Sequence, residues 1–176
     1  MKKLIAFGAS NSSTSINKQL ATYAASLVPN TTVTVLDLND FEVPVYGVDL
    51  EQASGFPEKA QLFFDKLKAT DGIIISLAEH NGAYTAAFKN LLDWMSRIDV
   101  KVFQDKPMLL MSTSPGARAG QSVFDMAKDR FPRHNAIIVA TYNFPSFNDN
   151  FKDGSIIDAD LNKVLVHEIA KFSDSL

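Results

Sequence analysis

Ile73-Ile74-Ile75-Ser76-Leu77-Ala78-Glu79-His80-Asn81-Gly82 runs straight into the amphipathic stretch Ala83 to Arg97. A β-branched run stops at a polar loop, and a helix follows. The run reads as a strand buried on both faces, because its apolar residues are continuous rather than alternating. Tyr84, Phe88, Leu91, Leu92 and Met95 recur at helical spacing and give the helix a wide apolar stripe. In an open α/β protein, the crevice just past the carboxyl end of such a strand is where ligands bind.

The same unit recurs on both sides. Leu4 to Phe7 reads as a short strand, followed by a Ser/Asn/Thr cluster and a helix marked by Ile16, Leu20, Tyr23, Ala24 and Leu27 that stops at Pro29-Asn30. Thr32 to Leu38 reads as a second strand and Asp40 to Ser54 as irregular chain. Pro57 can open a helix at its first turn, with Leu62, Phe63 and Leu67 on the inner face. Beyond the central unit, Met108 to Met111 and Ala136 to Ala140 read as strands, Ala117 to Phe131 as a helix, and Leu161, Val164, Leu165, Ile169 and Phe172 as a closing helix after a loop with Pro145 and Gly154. Five alternations of strand and helix predict a parallel sheet with helices on both faces. With right-handed crossovers, the reading is a flavodoxin-like α/β three-layer sandwich with a five-stranded parallel sheet in the order 2-1-3-4-5, one domain over residues 1–176.

Composition narrows the function. With 176 residues, 46% of them hydrophobic, the chain can bury one core of useful size. A net charge of -3 offers no basic surface for nucleic acid. The absence of cysteine excludes disulfides, thiolate chemistry and cysteine metal sites. The apolar start breaks at Gly8-Ala9-Ser10-Asn11, too early for a signal peptide, and no segment reaches the ~20 apolar residues of a membrane span. The expectation is a cytoplasmic protein with no membrane or nucleic-acid partner. His80, His134 and His167 are isolated in sequence, which argues against zinc. No catalytic residue and no metal ligand is expected.

Three loops carry the chemistry. In Gly8 to Asn17, Ser10, Ser12, Ser13, Thr14 and Ser15 supply hydroxyls, and a helix start offers free N–H groups and partial positive charge to a phosphate; the same residues also make an ordinary serine-rich cap. In Glu79 to Gly82, Gly82 permits close approach of a flat ring and Asn81 can cap the following helix. On its own, His80 reads equally as an exposed loop histidine and Glu79 as a solvated carboxylate. The third loop, Ser112 to Gly120, contains the turn signal Pro115-Gly116. Neither a dinucleotide fingerprint nor a Walker motif is present.

These residues resemble the NAD(P)H-dependent FMN reductases, the group that includes bacterial chromate, quinone and azo-dye reductases, over essentially the whole chain. Ser10, Ser15 and Asn17 match G-S-x-R-x-x-S-x-N, with Ala9 in place of glycine and Ser12 in place of arginine. Pro44-Val45-Tyr46 and Asp49-Leu50-Glu51 resemble L-P-x-Y…D-x-D. Glu79, Asn81, Gly82, Lys89, Asn90, Asp93 and Trp94 match P-E-Y-N-G-S-x-P-x-x-L-K-N-x-x-D-W; Ala78, His80, Ala83, Thr85 and Phe88 depart from it. Ser112 to Gly116 matches S-T-S-P-G.

The resemblance implies FMN as cofactor and NADPH or NADH as co-substrate. Ser10, Ser12, Ser15, Ile16 and Asn17 would hold the FMN phosphate. Glu79, His80, Asn81 and Gly82 would contact the ring and ribityl chain, and Ser114, Pro115 and Gly116 would close over the pyrimidine side. Electrons would pass from NAD(P)H through FMN to a small acceptor: a quinone, free flavin, azo compound or oxyanion. Losing the arginine at Ser12 removes a charge-assisted phosphate contact. A histidine at position 80 would tie the flavin's potential to pH. The same fold could instead serve as a one-electron flavodoxin-like carrier or a flavin-free binding module. Lys89, Asn90, Asp93 and Trp94 read as structural. Trp94 and Ile98 lie off the apolar stripe, which predicts a second covered face and hence a homodimer or homotetramer; the alternative is a helix covered on both sides within one chain.

Overall fold

The computed structural model describes all of residues 1–176. In chain order the elements are β1 (Lys2–Ala9), α1 (Ile16–Ser26), β2 (Thr31–Leu36), a 3-10 turn (Leu38–Phe41), α2 (Val48–Ser54), α3 (Glu58–Lys68), β3 (Gly72–Leu77), β4 (Glu79–His80), β5 (Ala83–Tyr84), α4 (Ala86–Ile98), β6 (Lys106–Thr113), α5 (Gln121–Arg130), a 3-10 turn (Phe131–His134), β7 (Ala136–Phe144), α6 (Phe147–Asn150), β8 (Phe151–Lys152), β9 (Ser155–Ile156) and α7 (Ala159–Asp174). The five long strands form one parallel sheet in the order β2-β1-β3-β6-β7. This is the 2-1-3-4-5 order that the alternation predicts, and it puts β1, β3 and β6 side by side at the centre.

Side-chain alternation along the central strands divides the interior into two cores. Ile5, Phe7, Ile73, Ile75, Leu77, Met108 and Leu110 face α3, α4 and α5. Leu4, Ala6, Ile74, Leu109 and Met111 face α1 and α7. Gly8 sits where β1 passes under α1: a Cβ there would lie 2.3 Å from the Lys18 main-chain nitrogen. Only glycine lets the helix start this close to the strand.

Several elements differ from the sequence expectation. The inner face of α3 is Ala60, Phe63, Phe64 and Leu67, whereas Leu62 is exposed; the buried set follows the i, i+3, i+4, i+7 rule, and Leu62 falls outside it. Val164 of α7 is likewise exposed. The stretch expected to be irregular contains α2, and the loop after β7 contains α6 and the β8–β9 hairpin. The helix after β3 starts at Ala86, later than expected, because Glu79 and His80 pair antiparallel with Tyr84 and Ala83. Asn81 (φ 52°) and Gly82 (φ 75°) are both left-handed, the backbone of a tight hairpin turn that Asn-Gly favours. The cap of α4 is therefore not Asn81. Thr85 accepts the Phe88 N–H at 3.2 Å and donates its hydroxyl to the Ala9 carbonyl at 2.9 Å, tying the hairpin to the end of β1.

The second face of α4 is covered within the chain. Trp94 is fully buried and its indole N–H donates to the Pro44 carbonyl at 2.7 Å, with Tyr46 edge-on at 5.1 Å between ring centroids. Asn90 accepts the Tyr46 N–H at 2.8 Å and donates to the Val43 and Pro44 carbonyls at 3.1 and 3.0 Å. Val43–Tyr46 is thus a strap clasped onto α4, and Ile98 packs against the adjoining core. The covering that suggested a second copy is supplied by the chain itself.

Candidate functional site

The loops after β1, β3 and β6 open at the same end of the sheet, as adjacent parallel strands require. They enclose a cleft of about 280 Å³ whose wall includes Ser10, Ser12, Ser15, Ile16 and Asn17 from the first, Glu79 and His80 from the second, and Ser114 and Pro115 from the third. Asn81 and Gly82 form the hairpin tip beside it. Gly116 braces the third loop instead, its carbonyl accepting the Ala119 and Ser146 N–H groups.

The first loop is built as a set of donors. The Ser10 oxygen accepts the Ser12 N–H at 3.2 Å, Ser12 accepts from Thr14 at 3.3 Å, and Ser15, the cap of α1, accepts from Lys18 at 3.1 Å. Each hydroxyl oxygen is engaged as an acceptor; Ser12 and Thr14 also pair hydroxyl to hydroxyl at 3.4 Å, which leaves the Ser10 and Ser15 hydrogens to donate elsewhere. Ile16 and Asn17 open α1, where main-chain N–H groups have no partner within the helix. No lysine or arginine lines the cleft. Lys18 turns away and pairs with Asp37 at 2.5 Å; that bond, with the Asn39 N–H, holds the Asp37 carboxyl below its ordinary range.

Asn17 is 2% exposed and its side chain is spent on the scaffold. Its carbonyl oxygen accepts the Ser76 hydroxyl at 2.6 Å and the Thr113 N–H at 3.2 Å, and its amide donates to the Thr113 carbonyl at 3.2 Å. It pins α1 to β3 and β6, and offers an anion its main-chain N–H. Glu79 is anchored rather than solvated: its carboxylate accepts the Val123 N–H at 2.9 Å, capping α5 in its first turn, where negative charge is favoured. Glu79 and Tyr84 face one way from the hairpin and His80 and Ala83 the other, as paired residues do. His80 is exposed and lines the cleft.

Thr85, Thr113 and Ala78 were not among the expected site residues. Thr85 is the tie to β1, and Thr113 and Ala78 line the cleft. Thr113 lay in plain view inside the S-T-S-P-G match; Thr85 was hidden by departing from the family's proline.

A set of hydroxyl and main-chain donors at a helix start fits a phosphate without a cation. Compared with known protein families, residues 2–149 match the family described as NADPH-dependent FMN reductase. The chain belongs to this family. Among curated relatives, the NADPH:quinone oxidoreductase of Arabidopsis thaliana is 30% identical over 147 residues, 82% of this chain and 69% of that protein. The quinone reductase of Escherichia coli (strain K12) is 30% identical over 79 residues, 45% of this chain and 42% of that protein, so the chain spans less than half of that relative's length. Among solved structures, the flavoenzyme NAD(P)H:(acceptor) oxidoreductase FerB of Paracoccus denitrificans superposes with a TM-score of 0.79 at 21% identity, covering 99% of this chain and 97% of that one. At that identity the likeness speaks to the fold, and it is the fold this family shares.

Proposed function

We propose that this protein is an FMN-dependent reductase that passes electrons from NADPH or NADH to a small acceptor such as a quinone, free flavin, azo compound or oxyanion. The observation that carries the reading is the convergence of three loops on one cleft whose first wall carries serine hydroxyls and the opening turn of α1. When bound, FMN supplies hydride acceptance from the nicotinamide and electron delivery to the acceptor. The chain's own work is positional. Ser10, Ser12, Ser15 and the N–H groups of Ile16 and Asn17 hold the phosphate. The 79–82 hairpin and Ser114-Pro115, on a loop braced by Gly116, would flank the ring and keep water from it. Asn17, Thr85 and Glu79 fix the three walls relative to one another, so that reactants meet in a set geometry. No helix is long and apolar enough to cross a membrane.

The test is an absorbance spectrum of the purified protein before and after adding FMN, then anaerobically with NADPH. A flavin band that bleaches with NADPH and returns with a quinone is the expected result. A colourless protein that takes up no FMN would make it a flavin-free module. A flavin reduced by light but not by NADPH or NADH would make it an electron carrier.

A further inference from the structure

A polar groove runs from the phosphate end of the cleft along α1. Thr14 and Ser15 line both hollows, so the two meet there. From that junction the groove, about 360 Å³ in volume, passes Lys18 and Thr22 and ends at Ser26, with Tyr23, Phe151 and Gly154 of the β8–β9 turn along its far side. Ser15 to Ser26 is about 16 Å at the helical rise, room for one nucleotide laid along the helix. We propose that this groove receives the adenylate half of a dinucleotide flavin, so that the site takes FAD as well as FMN. The inference rests on the flavin-binding reading above.

Connection, charge and surface each select this occupant. The groove shares no residue with the 79–82 hairpin or the third loop. What enters it from the cleft is therefore attached at the flavin's phosphate and not at its ring, and that is where FAD carries its second phosphate and its adenosine. A nicotinamide nucleotide must instead meet the ring. No carboxylate lines the groove, whereas Lys18 does. Its ammonium gives one bond to Asp37, which leaves two N–H groups for a phosphate. Farther along, the Thr22 and Ser26 hydroxyls donate to the Lys18 and Tyr23 carbonyls at 2.8 and 2.7 Å. Their oxygens keep lone pairs that can accept from a ribose hydroxyl or from the adenine amino group. Tyr23 and Phe151 meet edge-on, with 5.9 Å between ring centroids, and make an aromatic corner for a flat base. The Tyr23 hydroxyl is tied to Asn162 of α7 at 2.8 Å, so this corner is set before a ligand arrives. The volume lies inside the ~300–1,000 Å³ of small-molecule sites.

The test is the ratio of FAD to FMN affinity, measured by calorimetric titration of the full, flavin-stripped chain with each flavin in turn. FAD is expected to bind at least as tightly as FMN. Tyr23→Leu, which removes the aromatic corner, should weaken FAD by about fivefold or more, the usual loss when an aromatic side chain leaves a base. Thr22→Glu, at an exposed position of α1 where folding is not at risk, should weaken FAD by about threefold through like-charge repulsion. FMN, whose assigned contacts include neither residue, should keep its affinity in both variants, so the ratio falls. Should Tyr23→Leu fail to fold, Thr22→Glu decides alone. FAD bound far more weakly than FMN, or a ratio that Thr22→Glu leaves unmoved, would overturn the proposal. Variants that instead raise the KM for NADPH of the FMN-loaded enzyme, with the FAD-to-FMN ratio unchanged, would give the groove to the adenylate of the nicotinamide nucleotide and overturn it as well. A failure of the flavin-binding reading is distinct: neither flavin would bind, with or without the substitutions.

Discussion

Asn17 shows how much one side chain can organise. It joins a helix to two strands through three hydrogen bonds in a dry environment. Replacing it with alanine strands the Ser76 hydroxyl and the Thr113 N–H, each costing about 1–3 kcal/mol when buried without a partner. Asn17→Ala should therefore lower unfolding stability by about 3 kcal/mol, read as a lower urea midpoint at unchanged slope. Asn17→Asp should recover only part of this: a carboxylate still accepts from Ser76 and the Thr113 N–H, but it cannot donate to the Thr113 carbonyl and it brings a charge into a dry site. Ser12 poses the reverse case. The cleft has no cationic side chain, and position 12 is where the family pattern carries arginine. Ser12→Arg should tighten FMN by about tenfold, the gain expected from one charge-assisted bond to phosphate, measured by flavin fluorescence titration. Riboflavin affinity, which involves no phosphate, should not follow; equal gains for both would show that the arginine acts elsewhere.

At the scale of elements, α4 supports two loops at once. Its cap, Thr85, reaches β1, and its outer face holds the strap. Glu51 of α2 completes the clasp, accepting the Tyr46 hydroxyl at 2.9 Å and the Arg97 guanidinium at 3.0 Å. The Tyr46 hydrogen bond, reinforced by Arg97, holds the Glu51 carboxyl below its ordinary 4.5. A depressed carboxyl stabilises the folded form above its unfolded pKa, and that contribution is lost as pH falls through the folded value. Acidification below about 4.5 should therefore loosen the strap and shift Trp94 emission, whereas Glu51→Gln should remove that step from the titration. An unchanged acid transition in the variant would detach the strap from Glu51. Little of this clasp can be read from the chain alone. The central strands are legible because a parallel strand buried on both faces is a continuous apolar run. The strap is not, because its order comes from Asn90, 44 residues beyond Tyr46, while its Pro44 and the Gly47 that follows it suggest irregular chain. The hairpin was within reach: Asn81-Gly82 is a strong turn signal, outweighed by strands only two residues long. That Glu79 caps α5 could not be anticipated, since its partner is a main-chain N–H that any residue at position 123 would supply.

For the whole molecule, the decisive fact is that the sheet separates two cores while the cleft belongs to both. The first wall starts α1, which packs on one core; the hairpin and third loop lead into α4 and α5, which pack on the other. A ligand that touches all three loops is therefore a clamp between the two halves, and unfolding either half must release it. Binding then stabilises the whole cooperative unit by mass action, by ~2.7 kcal/mol at a free concentration a hundredfold above Kd. For a chain of this size that corresponds to a rise in Tm of about 5–11 °C. FMN should produce such a shift, and riboflavin at the same concentration a clearly smaller one, because only FMN engages the donors at the start of α1. Coincident melting by far-ultraviolet circular dichroism and by Trp94 fluorescence would show both cores rising together. If riboflavin raised Tm as far as FMN does, the first loop would be a helix cap and nothing more, and the phosphate would add nothing to binding.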